Sequence, residues 1–176
     1  MTRTVYYTAT TLDGFVADEA QTLDWLLSRH VEQDGPMGYG PFIAGVGAIA
    51  MGATTYRWVR AHEERWSYEQ PCWVFTHSPG PPPEGADVRF TEADVASVHA
   101  ELVAAAAGRD VWVVGGGVLA AQFAERSLLD EVVVSIAPVT LGAGRPLLPA
   151  HVELRPLEIV ANGEFACVRY AVVRGR

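Results

Sequence analysis

The sequence predicts one α/β domain over residues 1–176, a mixed, mostly parallel sheet with flanking helices and a closing antiparallel hairpin. Three observations carry this. Apolar β-branched runs such as VGAIAMG, CWVF and DVWVV alternate with segments of helical spacing, the pattern of strands buried on both faces by crossover helices. The last strand-like stretch, LEIVANGEFACVRYAVV, is interrupted by Asn162-Gly163, a pair that suits a type I′ hairpin turn. No internal repeat or linker divides the chain, and 176 residues are enough for one sizeable core.

The elements follow in order. RTVYYTAT is β-branched and aromatic and reads as a buried strand. Asp13-Gly14 then marks a turn. TLDWLLSRH is a short helix with Thr22 as its N-cap and Leu23, Leu26 and Leu27 on one face. Gly35, Pro36, Gly38, Gly40 and Pro41 make a loop of low order. VGAIAMG is a strand, ATTYRWVRAHEERW a helix, and CWVFTHS a strand stopped by PGPPPEG. DVRFT is a short strand, and EADVASVHAELVAAAAG an Ala-rich helix closed by Gly108. DVWVVGGG leads from a strand into the helix VLAAQFAERSLL, and EVVVSIAPV precedes the hairpin.

Composition narrows the function. Hydrophobic residues make up 49% and charged residues 19%, a globular balance. A net charge of −8, without a basic run, argues against nucleic acid and against anionic membrane surfaces as partners. All 13 positive side chains are Arg, so lysine chemistry is excluded. The opening MTRTVYYTAT lacks the apolar core of a signal peptide, and no apolar run approaches a membrane span. Cys72 and Cys167 sit in strand-like runs and read as buried free thiols. The expectation is a soluble, cytoplasmic protein. The histidines show no metal-ligand spacing, so no metal site is expected.

Gly115, Gly116 and Gly117 raise the central question, since glycine weakens both of the elements it joins here. In an open α/β sheet, ligands bind beyond the carboxyl ends of the strands. Unpaired N–H groups at a helix N-terminus favour an anion there, and glycines let a phosphate approach them. The run therefore reads as a pyrophosphate cradle, with a plain tight turn as the alternative. It also satisfies G-x-G-x-x-A through Gly115, Gly117 and Ala120. However, Asp130 and Glu131 precede the next strand instead of ending it, so a Rossmann domain is not indicated. Gly52, Thr54 and Thr55 form a second strand-to-helix junction, suited to phosphate or to ordinary N-capping. Thr76 and His77 lie at a third strand end. An elongated, multi-phosphate ligand accounts for all three.

Taken in this order, TLDGFVAD, MGATTY, FTHSPG and VVGGGVLAAQF resemble the cofactor-contacting segments of the dihydrofolate reductase superfamily. The chain is most similar to stand-alone relatives of the reductase domain of riboflavin-biosynthesis enzymes, the RibD C-terminal-like proteins. The resemblance implies a dihydrofolate reductase-like fold and an NADPH-dependent reductase, with NADH as the alternative cofactor. It places Ala9 and Leu12 beside the nicotinamide, Gly52, Ala53, Thr54 and Thr55 at the phosphates, and Thr76 and His77 at the adenosine ribose. Val114, Gly115, Gly116, Gly117, Val118, Leu119 and Gln122 would hold the pyrophosphate, with a cis peptide between Gly115 and Gly116. The long apolar hairpin predicts a homodimer formed through the later strands or the hairpin, and the resemblance adds that such relatives are commonly dimeric.

The departures from these families bear on substrate and cofactor. Ala53 stands where dihydrofolate reductases carry an Arg for the 2′-phosphate of NADPH, and His77 or Arg57 would have to substitute. Tyr7 and Gly115 stand where riboflavin-pathway reductases have Lys and Glu, which argues against the ribosylaminopyrimidine substrate. Asp24 matches the position of a substrate-protonating acid, although a first-turn acid also simply favours a helix N-terminus. Trp25 is a candidate substrate wall or a core aromatic. Asp13 reads as hydrogen-bonding within its own turn. The expected activity is hydride transfer from NAD(P)H to a small heterocyclic substrate, pteridine- or pyrimidine-like. The alternatives are a non-catalytic dinucleotide-binding module, or a true dihydrofolate reductase that binds antifolates tightly.

Overall fold

The computed structural model describes residues 1–174. In chain order the elements are β1 (Thr4–Thr11), β2 (Phe15–Ala17), α1 (Asp24–Leu27), α2 (Tyr39–Ala44), β3 (Val46–Gly52), α3 (Ala53–His62), β4 (Cys72–Phe75) and β5 (Val88–Thr91). They continue with α4 (Val95–Ala106), β6 (Asp110–Val114), α5 (Gly117–Glu125), β7 (Glu131–Ala137), β8 (Arg145–Pro146), β9 (Leu154–Asn162) and β10 (Phe165–Val172). The main sheet has eight strands in the order β5-β4-β3-β6-β1-β7-β10-β9. From β5 to β7 neighbouring strands are parallel, and β10 is antiparallel to both β7 and β9. The fold is the predicted one, a mostly parallel mixed sheet with helices and a C-terminal antiparallel pair.

Both faces of the sheet are covered, which is why its central strands are apolar without alternation. On one face Tyr6, Ala50, Leu102, Val113 and Phe123 form a core under α4 and α5. On the other, Ile49, Met51, Val74 and Trp112 pack with Tyr39, Phe42 and Tyr56. Trp25 joins a third cluster with Ala137, Phe165 and Cys167. Cys72 and Cys167 are free and buried. α4 starts where Asp94 accepts from the backbone N–H groups of Ala96 (2.8 Å) and Ser97 (3.1 Å), and ends through left-handed Ala107 and Gly108. No helix among the described residues is long and apolar enough to cross a membrane.

Three local expectations are corrected. Thr22 does not cap α1: its N–H (2.7 Å) and its hydroxyl both donate to Asp18, and the helix is reduced to four residues after Leu23, with no side-chain cap. The glycine- and proline-rich segment is not a loop throughout, because residues 39–44 form α2 behind Gly38. Pro41 is tolerated in that first turn, where its missing N–H has no intrahelical partner to lose. Tyr39, Phe42 and Ile43 gain burial in exchange.

The hairpin turn sits one residue later than expected. Asn162 pairs with Phe165 as the last residue of β9, leaving Gly163-Glu164 as the loop. Gly163 alone has positive φ (56°), which fits a glycine-first turn. Asn162 is recruited elsewhere: its amide donates to the carbonyls of Glu32 (2.9 Å) and Pro36 (3.0 Å) and accepts from the Glu32 N–H (2.9 Å).

Candidate active site

The three glycines have three different reasons. Gly115 takes φ +103°, and a Cβ there would run into the Thr55 hydroxyl. Gly117 lies against the Leu147 carbonyl, which a Cβ would strike. Gly116 has ordinary φ −70° and ψ 149°, is exposed, and a Cβ on it would meet nothing within 4 Å. Gly115 and Gly117 thus serve the packing of the strand-to-helix turn, and Gly116 leaves backbone open to solvent. The Gly115–Gly116 peptide is trans, as are all peptides among the described residues. The cis bond expected there is therefore corrected, and the positive φ of Gly115 makes the reversal.

Tyr6 holds this turn from below. Its hydroxyl is shared between the carbonyls of Gly115 (3.1 Å) and Leu147 (3.0 Å). Burial pushes the phenol well above its ordinary pKa, so it stays a neutral donor.

The β3–α3 junction lies alongside. Gly52 is the N-cap of α3 and Gly116 that of α5, and neither helix has a side-chain cap. A Cβ on Gly52 would likewise meet nothing within 4 Å. Two helix N-termini with free N–H groups and unobstructed glycines therefore flank the contact between Thr55 and Gly115. Val118 (63% exposed) and Gln122 are on the outer side of α5, whereas Leu119 and Val114 are core. Such a pair of termini suits a diphosphate by donor geometry and by dipole.

The remaining strand ends complete the same edge. Thr76 follows β4, donating its N–H to the Thr91 carbonyl (2.9 Å) and accepting at its hydroxyl from Ser78 N–H (3.1 Å). His77 is exposed, and its Nδ1 lies 3.5 Å from the Glu92 carboxylate. Ala9 is on β1, packed against the third cluster, and Leu12 is 69% exposed with its N–H donating to the Val139 carbonyl (2.8 Å). Asp13 reaches beyond its own turn. It accepts from the Thr11 hydroxyl (2.6 Å) and from the N–H groups of Leu141 (3.0 Å) and Gly142 (2.7 Å), tying two loops together beside β1 and β7.

A cleft of about 470 Å³ opens beside the first turn of α3, where Thr54 lines it. One wall is the segment from Ala20 to Asp24 with Leu27, and the other is Thr54, Arg57, Trp58 and His62 of α3. Asp24 lines the cleft but is exposed rather than enclosed by apolar side chains. Trp25 turns into the core, 8% exposed, and does not line the cleft. Arg57 faces this cleft, with the Thr54 hydroxyl 3.4 Å from its guanidinium. Trp58 and His62 escaped the sequence reading, although their i, i+4 spacing on a helix marks one face.

Tyr7, at the position where riboflavin-pathway reductases carry Lys, is structural. It donates to the Met37 carbonyl (3.0 Å) and stacks on Phe42 at 4.0 Å.

Comparison with known proteins bears on the family and the fold. The chain is 33% identical over 146 residues to the uncharacterized protein YwjB of Bacillus subtilis (strain 168), covering 82% of each. A Shewanella sp. PV-4 protein described provisionally as a riboflavin biosynthesis protein superposes with a TM-score of 0.83 at 26% identity, over 98% of this chain and 99% of that one. Dihydrofolate reductase from Enterococcus faecalis, solved with NADP(H), shares the fold with a TM-score of 0.64 at 15% identity, over 97% and 96%. With residues 4–167 matching the model of the RibD C-terminal domain, the chain belongs to that family.

Proposed function

We propose that the protein is an NAD(P)H-dependent reductase that transfers hydride to a small heterocyclic substrate held in the α1–α3 cleft. The observation that carries this reading is the pair of uncapped, glycine-led N-termini of α3 and α5, which come together where Thr55 packs against Gly115, with Thr54 of the same α3 turn lining that cleft. Membership of the RibD C-terminal domain family and the fold shared with a dihydrofolate reductase solved with NADP(H) support it.

The chain's own groups divide the work. N–H groups of Thr54, Thr55, Val118 and Leu119, in the first turns of α3 and α5, would bind the pyrophosphate. Leu12 and Ala9 would flank the nicotinamide, and Thr76 and His77 the adenosine ribose. When bound, the nicotinamide supplies the hydride. The protein would orient the acceptor against that donor and exclude water. Asp24, which lines the cleft wall, would assist protonation of the substrate. The charge missing at Tyr7 and Gly115 makes the ribosylaminopyrimidine of riboflavin synthesis a poor substrate.

Gly116→Val tests the cofactor assignment. The fold has room for the valine and its backbone angles suit one, so the variant should melt like the wild type. It should nevertheless lose NADH and NADPH binding in calorimetry, because the side chain would occupy the phosphate position. Undiminished affinity in the folded variant would remove this loop from the cofactor site.

A further inference from the structure

The outer wall of the cleft carries information that the cofactor reading does not use. Trp58 and His62 stack with ring centroids 4.2 Å apart and planes 15° from parallel. His62 Nδ1 donates to the Trp58 carbonyl at 2.8 Å, which fixes the imidazole against the indole. One face of the indole is thereby covered, and the half-buried ring lines the cleft together with His62. Next to it, Arg57 is exposed and has no carboxylate within salt-bridge distance among the described residues. Asp24 stands on the opposite wall. The charged and titratable groups lining the cleft are thus Asp24, Arg57 and His62.

We propose that Trp58 and Arg57 set substrate specificity, selecting a flat ring that carries an anionic substituent. This rests on the reductase reading for the chemistry but on the cleft alone for the recognition. A braced indole offers a rigid stacking surface at little cost in side-chain entropy. A guanidinium without an acid partner presents its fork of donors to a carboxylate or phosphate. In a chain of net charge −8, an unpaired cation at the mouth of a cleft is also where an incoming anion meets least repulsion. Asp24 opposite would accept from a ring N–H. A volume of about 470 Å³ accommodates one bicyclic ring with a short substituent.

The test uses matched probes on the full chain, by calorimetry with and without saturating NADH. Pterin is compared with pterin-6-carboxylate, and cytidine with cytidine 5′-monophosphate. At least one anionic probe should bind about tenfold more tightly than its neutral partner, and the better pair identifies the anion. Arg57→Gln, on an exposed helix face, should erase that difference while leaving the neutral probe unchanged. Trp58→Leu should weaken both members of the pair about tenfold, with Trp58→Phe between. Equal affinity of both pairs in the wild type overturns the proposal. So does an Arg57→Gln protein that loses NADPH but not NADH and keeps its preference for the anionic probe, since Arg57 would then read the 2′-phosphate. Probe recognition without any dinucleotide binding would instead refute the reductase reading and leave the cleft assignment standing.

Discussion

At the residue scale, Asp13 and Asp94 are exposed and Asp18 is partly buried, and all three carboxylates are held by hydrogen bonds, Asp13 from the loop after β7 as well as from its own turn. Asp13 is lowered from its ordinary pKa mainly by the Thr11 hydroxyl, Asp18 mainly by the Thr22 hydroxyl, and Asp94 by the N–H groups of Ser97 and Ala96. A carboxylate lowered in the folded state stabilises fully above its unfolded pKa of about 3.9 and loses that contribution as pH falls through the folded value. These carboxylates should therefore withdraw their contribution progressively below about pH 4, whereas His99, whose burial lowers its pKa from the ordinary 6.5, should cost stability already as pH falls below about 6.5. Asp13→Asn should melt earlier than wild type at pH 7 and converge with it near pH 2 in thermal scans. A constant gap across that range would show that Asp13 acts by shape instead of charge. Asp24 has a different assignment. Asp24→Asn should lower turnover at least about tenfold, change the pH profile and leave dinucleotide affinity nearly intact. Turnover unchanged in that variant would leave protonation to water.

At the element scale, the proposed cofactor site makes the first turn of α3 the expected reader of dinucleotide choice. Ala53 begins the helix with no donor beyond its backbone, Arg57 faces the cleft, and His77 has Glu92 beside it. Discrimination between NADPH and NADH is thus expected to be modest. Ala53→Arg should shift the ratio of dissociation constants toward NADPH by roughly 1–3 kcal/mol, the scale of a charge-assisted hydrogen bond. A wild type already favouring NADPH by several orders of magnitude would place the phosphate reader elsewhere. The main elements were legible because their patterns are local: unbroken apolar runs for β3, β4, β6 and β7, and an Ala-rich run closed by Gly108 for α4. What escaped was set by distant partners. Asn162 left its turn to bind residues 32 and 36, Asp18 took Thr22 from α1, and the reason for Gly117 is a carbonyl thirty residues later. The Trp58–His62 wall escaped for another reason. Its spacing was visible, but only the packing of α3 against residues 20–27 turns that face into a cleft.

At the scale of the whole molecule, the two ends of the sheet differ. β5 ends it with four residues, whereas β9 ends it with nine, and that second edge carries exposed Leu157 and Ile159. An exposed apolar strand of this length invites association unless it is blunted. Its backbone is partly blunted: Pro156 has no N–H to offer, and a register shift opposite Arg169 and Tyr170 interrupts the ladder. Association by the face of the hairpin is therefore favoured over edge-to-edge pairing. Ile159 pairs across the ladder with Val168, a residue of the core under α4 and α5. It is 69% exposed at the uncovered margin of that core, so a second copy there would extend an apolar layer already present. A stable contact needs roughly 800 Å² from each partner, more than a few side chains, so the strand pair as a whole has to take part. The expected species is a homodimer with twice the 19.0 kDa mass of one chain. Ile159→Glu should return it to a folded monomer in light scattering, because a charge would be buried without a partner. The hairpin tip also holds the chain just after α1, through Asn162 and through Glu164 on the His30 N–H (2.7 Å). The monomeric variant should consequently show weaker binding of cleft probes than of dinucleotide. A wild type that scatters as one chain at every concentration would end the dimer and this coupling together.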